Sequence, residues 1–273
     1  MSFFNLFSGD CLKNLSKIES SSVDLILTSP PYAEKRKTEY ASIPEKEYID
    51  WFLPIGFELK RVLKPSGSFM LNLKAHCRKG ERSTYVMELV ISLNKQVGFK
   101  FIDDYVWYKS ATPREKTFRL KNSWEPIYHF SLGKNYINHE AIKVKSSATF
   151  ANKRGSAVYD SITGNIGGFH DIADQQEGWT DPDNTLYFPT ALLIKDKMYK
   201  HPAKFPIELA DFFVKGFSPP DNGVVLDPFA GSGIVAASAL KNNRSAIAIE
   251  IEQKYCEIIK KRIDDLKISN IML

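Results

Sequence analysis

Two short motifs in this chain combine the residue types that could do chemistry. The first is SPPY, Ser29 to Tyr32, and it follows the apolar run VDLIL. The second is DPFAGSG, Asp227 to Gly233, and it follows the apolar run VVL. Ligands of open α/β sheets bind beyond the carboxyl ends of the strands. We therefore expect both motifs at the same edge of a sheet, close to one shared ligand.

The glycine motif predicts a site for a cofactor that contains a nucleoside. Gly231 and Gly233 fall at a strand-to-helix turn, where glycine lets the backbone approach a ligand closely. Glu250 comes about 20 residues later, where nucleotide-binding folds place a carboxylate on the ribose hydroxyls. Asp227 would repel a pyrophosphate but suits a cationic group, and S-adenosylmethionine carries a sulfonium, an ammonium and a ribose without phosphate. We predict this cofactor; the alternative is an ordinary glycine turn in a βαβ crossover.

The SPPY motif predicts a site for a planar amino group. Pro30 and Pro31 have no N–H, so this loop presents rigid carbonyl acceptors beside the Ser29 hydroxyl. Tyr32 supplies a face on which a flat ring can stack. Acceptors that hold both N–H bonds of an exocyclic amine stabilise the charge that develops when its nitrogen attacks an electrophile. The alternative is a stiff surface loop without a chemical role.

These motifs give the chain a resemblance to the amino-type DNA methyltransferases of the β arrangement, in which the catalytic motif precedes the cofactor motif. The segments GDCLKNL and HPAKFP also resemble family elements, and the resemblance covers Phe4 to Tyr128 and His201 to Lys261. It implies catalysis by Ser29, Pro30, Pro31 and Tyr32. It implies that S-adenosylmethionine is bound by Asp10, His201, Lys204, Asp227, Phe229, Gly231, Gly233 and Glu250, with Asp10 beside the adenine. His201 and Lys204 belong to the element that packs over the methionine end.

The residue at the first position of the catalytic motif predicts which base is modified. In the family, members with Asp there mostly methylate adenine N6, and members with Ser mostly methylate cytosine N4. A hydroxyl can both donate and accept, so Ser29 could also serve cytosine N3. We predict N4-cytosine methylation, with N6-adenine methylation as the alternative. C5-cytosine chemistry is disfavoured because none of the cysteines, Cys11, Cys77 and Cys256, follows a proline.

Several basic runs predict contacts with DNA. A target amine is inaccessible inside a duplex, so the base must be flipped out, and cations beside the pocket would hold phosphates. The candidates are Lys35, Arg36, Lys37, Arg78, Arg114, Lys116, Arg119, Lys153 and Arg154. Each run could instead be a solvated surface charge. Duplex DNA is the expected partner, together with a possible cognate restriction endonuclease. Two other classes of function stay open: methylation of RNA or protein, and a non-catalytic DNA-binding module.

The elements that must position these motifs alternate between strands and helices. That order predicts an α/β fold with a mostly parallel, Rossmann-like sheet and helices on both faces. The resemblance makes it the S-adenosylmethionine-dependent methyltransferase fold with circularly permuted motif order. We expect residues 1–109 to form the catalytic half of one domain and 200–273 its cofactor-binding half. Residues 110–199, rich in Gly, Ser, Asn and Asp, are expected to form a target-recognition insertion.

Composition is typical of a globular protein, with 43% hydrophobic and 25% charged residues. A net charge of +5 permits a polyanionic partner. The three cysteines form no CxxC pair, so we expect neither a disulfide framework nor a metal site. Free thiols of this kind fit a protein of the reducing cytoplasm, which is the location we expect. We also expect no signal peptide and no membrane span. The oligomeric state stays open between monomer and homodimer.

Overall fold

The structure is a computed structural model, and it describes residues 2–34, 43–78, 80–109, 120, 122–145, 157–159, 166–169, 179–188 and 206–271. Within these ranges the strands and helices are named in chain order. The strands are β1 (Phe4–Ser8), β2 (Val23–Thr28), β3 (Leu63–Asn72), β4 (Cys77–Arg78), β5 (Glu81–Arg82), β6 (Lys100–Tyr108), β7 (Trp124–Ser131), β8 (Val144–Lys145), β9 (Ala157–Tyr159), β10 (Ile166–Phe169), β11 (Trp179–Thr180), β12 (Thr185–Tyr187), β13 (Val224–Asp227) and β14 (Ser245–Glu250). The helices are α1 (Cys11–Leu15), α2 (Tyr48–Val62), α3 (Tyr85–Ser92), α4 (Ile207–Phe217), α5 (Ile234–Lys241) and α6 (Gln253–Ile271).

An eight-stranded sheet in the order β1-β14-β13-β2-β3-β7-β6-β12 carries both motifs. Its pairs are parallel except those made by β7, which runs antiparallel to both β3 and β6. The prediction of a mostly parallel, Rossmann-like sheet is confirmed. β2 and β14 are buried along their whole length, as expected for strands that are covered on both faces.

Two hydrophobic clusters cover the two faces of this sheet. One contains buried side chains of α1, α2 and α3. The other contains buried side chains of α4, α5 and α6. α2 is continuous through Pro54. Gly56 lies in the same helix, and a Cβ there would come within 2.9 Å of Leu93, so glycine permits close packing of α2 on the segment after α3.

The chain divides into two compact units, residues 1–138 with 184–273, and residues 139–183. The eight-stranded sheet belongs to the first. It takes β7 and β12 from within the range 110–199, which we predicted as an insertion. The second unit contains two antiparallel pairs, β8 with β11 and β9 with β10. Its role in target recognition stays a prediction.

Two further findings concern absent features and apply to the described residues alone. No helix there is both long and apolar enough to cross a membrane. Nor does any group of His, Cys, Asp and Glu side chains in those ranges have the arrangement of a metal site.

Candidate active site

The two motifs meet at the carboxyl ends of β2 and β13, which are neighbours in the sheet. Val225 pairs with Leu25 and Leu226 with Ile26, so Asp227 at the end of β13 lies one residue short of Thr28 at the end of β2. The Thr28 hydroxyl donates a buried hydrogen bond of 2.7 Å to Oδ1 of Asp227, across a sequence separation of 199 residues. This contact brings the start of the SPPY loop to the start of the DPFAGSG loop, as the sequence predicted.

Asp227 is a buried carboxyl at the centre of this junction, with 5% of its surface exposed. Its Oδ1 also accepts a hydrogen bond of 3.1 Å from the Phe229 N–H. Burial raises the pKa of Asp227 to about 7, although the hydrogen bonds from Thr28 and Phe229 lower it, and the nearby charge of Glu250 adds to the rise. A cation beside Asp227 would offset its burial and restore the ionised form.

Glu250 closes the glycine loop from the end of β14. Its Oε2 accepts from the Gly231 N–H at 2.7 Å, and its Oε1 accepts from the Glu252 N–H at 2.9 Å. Burial raises the pKa of Glu250, and backbone N–H groups oppose that rise. The Ile251 N–H also bonds this carboxylate, and since a carboxylate has about four lone-pair sites, one remains to accept from a ribose hydroxyl.

The two glycines of the second motif adopt backbone conformations that favour glycine. Gly231 has φ 54° and Gly233 has φ 75°, both in the left-handed region. A Cβ on Gly233 would also lie 3.0 Å from Ile259 of α6. Glycine at position 233 therefore permits both the left-handed turn and the close packing of α6, in addition to the role in ligand binding predicted for it.

The segment after β1 reaches the same edge of the sheet. The Gly9 N–H donates to the Glu250 carbonyl at 2.8 Å. Asp10 is exposed and caps α1 by accepting from the Lys13 N–H at 2.9 Å. Cys11 is buried, and burial first, then the charges of Asp10 and Asp227, raise the pKa of its thiol. Sequence reasoning treated Cys11 as an isolated thiol, although its place directly after Asp10 could have indicated this position.

The SPPY loop is held by aromatic hydroxyls. The Tyr48 hydroxyl donates to the Pro31 carbonyl at 2.8 Å, so one of the expected acceptors is already engaged. The Tyr32 hydroxyl donates to Oε2 of Glu125 at 3.2 Å. The Ser29 side chain is also hydrogen-bonded to the Tyr32 hydroxyl, and because the Tyr32 proton goes to Glu125, Ser29 must be the donor. The Ser29 proton is therefore used within the loop. Our argument that this hydroxyl donates to cytosine N3 no longer holds, but the Ser29 oxygen can still accept through its lone pairs.

Phe229, the aromatic residue of the second motif, packs against α2. Its ring is stacked 6.4 Å from the ring of Phe52 and lies 5.8 Å from the ring of Trp51. Trp51 in turn meets Tyr48 edge-on at 5.2 Å. The helix that holds the Pro31 carbonyl thus also holds Phe229. Sequence reasoning did not assign these α2 aromatics to the site.

Sequence reasoning missed Glu125, which accepts from Tyr32, and the two lysines near Glu125. Glu125 forms an ion pair with Lys109, and the side chains are 19% and 17% exposed. Lys74 is buried, with its Nζ 4.3 Å from the centre of the Trp124 ring. Burial is the main cause that lowers the pKa of Lys74 to about 8. Glu125 lies in the segment matched to the family, but its partners depend on the pairing of β7 with β6.

Only part of the predicted DNA contact set lies within the described residues. Arg78 is 61% exposed and forms an ion pair with Glu34, two residues beyond Tyr32. The other predicted contacts and two predicted cofactor residues lie outside the described residues: Lys35, Arg36, Lys37, Arg114, Lys116, Arg119, Lys153, Arg154, His201 and Lys204.

Comparison with known proteins identifies the family. The DNA methylase family N6_N4_Mtase matches residues 23–261. The chain belongs to this family. This DNA methyltransferase is 29% identical over 291 residues to the type II methyltransferase M.PvuII of Proteus hauseri, covering 97% of this chain and 85% of that protein. It is 29% identical over 264 residues to the DNA adenine methyltransferase YhdJ of Escherichia coli, covering 95% of this chain and 82% of that protein.

Solved structures agree with the fold. The structure of the PvuII DNA methyltransferase, described as cytosine-N4-specific, matches with a TM-score of 0.73 and 25% identity, covering 96% of this chain and 86% of that chain. A Thermus thermophilus protein solved in complex with S-adenosyl-L-methionine matches with a TM-score of 0.64 and 22% identity, covering 96% and 94%. This methyltransferase has the fold of these DNA methyltransferases, and as a member of its family it uses S-adenosylmethionine as the methyl donor.

Proposed function

We propose that this methyltransferase transfers a methyl group from S-adenosylmethionine to N4 of a flipped cytosine in duplex DNA. The observation that carries the proposal is the hydrogen bond of 2.7 Å between Thr28 and Asp227. It brings an acceptor loop suited to an amino group next to a carboxyl suited to a cation. Transfer of a methyl group between two bound molecules requires this proximity.

The residues at the end of β13 fit the methyl donor. Asp227 is buried, and the pKa of its carboxyl is raised to about 7, so a sulfonium or ammonium group nearby would stabilise its ionised form. Glu250 keeps a free lone pair for a ribose hydroxyl, and Gly231 and Gly233 place no side chain between the backbone and the ligand. Asp10 and Phe229 complete the set that we assign to the cofactor. When bound, the donor supplies an electrophilic methyl group.

The residues of the SPPY loop act on the target base. The Ser29 oxygen accepts one N–H of the amino group, and a loop carbonyl accepts the other. These bonds draw the amino nitrogen toward tetrahedral geometry and localise its lone pair. The nitrogen would then attack the methyl group that the donor supplies when bound, so that a C–N bond forms as the donor's C–S bond breaks, and the nitrogen would release one of its two protons to solvent water. Tyr32 offers its ring as the surface on which the flipped base stacks.

The choice of cytosine rests on Ser29 at the first motif position and on the similarity to M.PvuII, whose solved structure is described as cytosine-N4-specific. N6-adenine methylation is the second candidate, because YhdJ, a relative of similar identity, is named an adenine methyltransferase. We also propose that residues 110–199, apart from the sheet strands β7 and β12, recognise a short DNA sequence. A restriction endonuclease is the proposed functional partner, since M.PvuII is named a type II methyltransferase.

Nucleoside analysis tests this proposal. Unmodified DNA is incubated with the protein and S-adenosylmethionine, digested to nucleosides and analysed by mass spectrometry. We expect N4-methylcytosine from the wild type and none from Ser29→Ala. N6-methyladenine alone would overturn the base assignment. Methylation of RNA or protein with DNA untouched would overturn the proposed substrate.

A further inference from the structure

We propose that Glu125 is a positioning residue of the methyl transfer, which orients the Tyr32 hydroxyl and, through it, the acceptor oxygen of Ser29. The Tyr32 hydroxyl lies 3.2 Å from Oε2 of Glu125, although 93 residues separate them in sequence. This role rests on the proposed function, because it assumes that the SPPY loop receives the target base. Glu125 is not expected to touch the base itself.

The direction of the hydrogen bonds carries the argument. An ionised carboxylate can only accept, so Glu125 obliges the Tyr32 hydroxyl to donate to it. The Tyr32 oxygen is then an acceptor, and the Ser29 hydroxyl donates to it. With its proton committed to Tyr32, Ser29 can meet the target amine only through its lone pairs. Methyl transfer needs Ser29 in that state, since the amino group brings the N–H donors.

Glu125 is itself held in place from the neighbouring strand. Its other oxygen, Oε1, forms an ion pair with Lys109, directly after β6. The Lys109 ammonium lies 4.3 Å from the centre of the Trp107 ring, and Trp107 is 3% exposed. Partial burial of the pair limits screening by solvent. The acceptor for Tyr32 is thus fixed before the base arrives, which is the condition for preorganised catalysis.

A set of matched variants tests this role. Glu125→Ala removes the acceptor, Glu125→Gln keeps an oxygen that can accept from Tyr32, and Tyr32→Phe removes the hydroxyl but keeps the ring. Glu257→Gln removes an exposed carboxylate of α6 and serves as the control. For each variant we measure kcat and KM for methyl transfer from radiolabelled S-adenosylmethionine to DNA, the Kd for the cofactor, and the melting temperature.

We expect Glu125→Ala to lower kcat about tenfold, the effect of losing one hydrogen bond, with the cofactor Kd unchanged. Glu125→Gln should restore most of that loss, and Glu257→Gln should match the wild type. In the Tyr32→Phe background, Glu125→Ala should lower kcat by less than a further twofold, because the hydroxyl through which Glu125 acts is already absent.

Two results would overturn the role: an equal loss of kcat from Glu125→Ala in both backgrounds, or a lower melting temperature with unchanged kcat. A wild-type protein that methylates RNA or protein but leaves DNA untouched would instead overturn the proposed function, and this role with it. Because the wild type is assayed first, the two failures are distinguishable.

Discussion

Cofactor binding should depend on pH through one buried carboxyl, Asp227. The pKa of this group rises from 3.8 to about 7, mainly because burial disfavours the charged form. A cationic ligand is stabilised by the ionised carboxylate, so below pH 7 binding must be accompanied by release of a proton. The decisive change is Asp227→Asn, which keeps an acceptor for Thr28 but removes the charge.

The size of the effect follows from the pKa. Below pH 7 the Kd of the wild type for S-adenosylmethionine should rise about tenfold for each pH unit, since each unit costs about 1.4 kcal/mol. At pH 5.5 this amounts to about 2 kcal/mol relative to the plateau above pH 7. Asp227→Asn should bind more weakly than the wild type at pH 7.5, by about 1–3 kcal/mol, and its affinity should be almost independent of pH over this range.

Isothermal titration calorimetry between pH 5.5 and 7.5 measures this dependence directly. Repeating each titration in buffers of different ionisation enthalpy gives the number of protons released, which should approach one for the wild type at pH 5.5 and zero for Asp227→Asn. A flat wild-type affinity, or the same slope in both proteins, would refute the assignment of Asp227 to the cationic part of the cofactor.

Four further outcomes are expected. The raised pKa means that Asp227 holds its proton more tightly in the folded than in the unfolded chain. Its contribution to stability is therefore present below about pH 4 and lost as the pH rises through about 7. Urea unfolding at pH 8 should show Asp227→Asn to be more stable than the wild type, by at most about 4 kcal/mol, and a less stable variant would contradict this. Thr28→Val removes a hydrogen bond that lowers the pKa of Asp227, so the pH above which cofactor affinity levels off should move upward in the same calorimetric series. An unchanged plateau would show that this hydrogen bond does not affect cofactor binding. Gly233→Ala places a Cβ at φ 75° and 3.0 Å from Ile259, so its free energy of unfolding in urea should fall by about 1–3 kcal/mol, and a neutral result would argue against strain at this turn. Replacing Lys35, Arg36 and Lys37 with Ala should flatten the plot of log affinity for duplex DNA against log salt by about one unit per lost phosphate contact, and an unaltered slope would leave these charges in solvent.

The sequence predicted those parts of the site that local patterns encode. The buried runs before Ser29 and Asp227 each indicated a strand, and proline or glycine after each run indicated a loop at its carboxyl end. Alternation of strands with helices was enough to predict a mostly parallel sheet, because parallel strands need crossover connections. The strand direction of β7 was not predictable, since periodicity gives the faces of a strand and not its direction.

The sequence by itself determined which residue types are available at the edge of the sheet: an acceptor loop at Ser29 and a carboxylate with glycines at Asp227. Only the tertiary structure decided what those groups bond to. In the folded chain Thr28 donates a hydrogen bond to Asp227, Tyr48 donates to the Pro31 carbonyl, and Tyr32 donates to Glu125. These partners are 17, 93 and 199 residues apart. The physical reason is that hydrogen bonds between strands and loops depend on strand order and register, which arise from packing the whole sheet and not from any local segment.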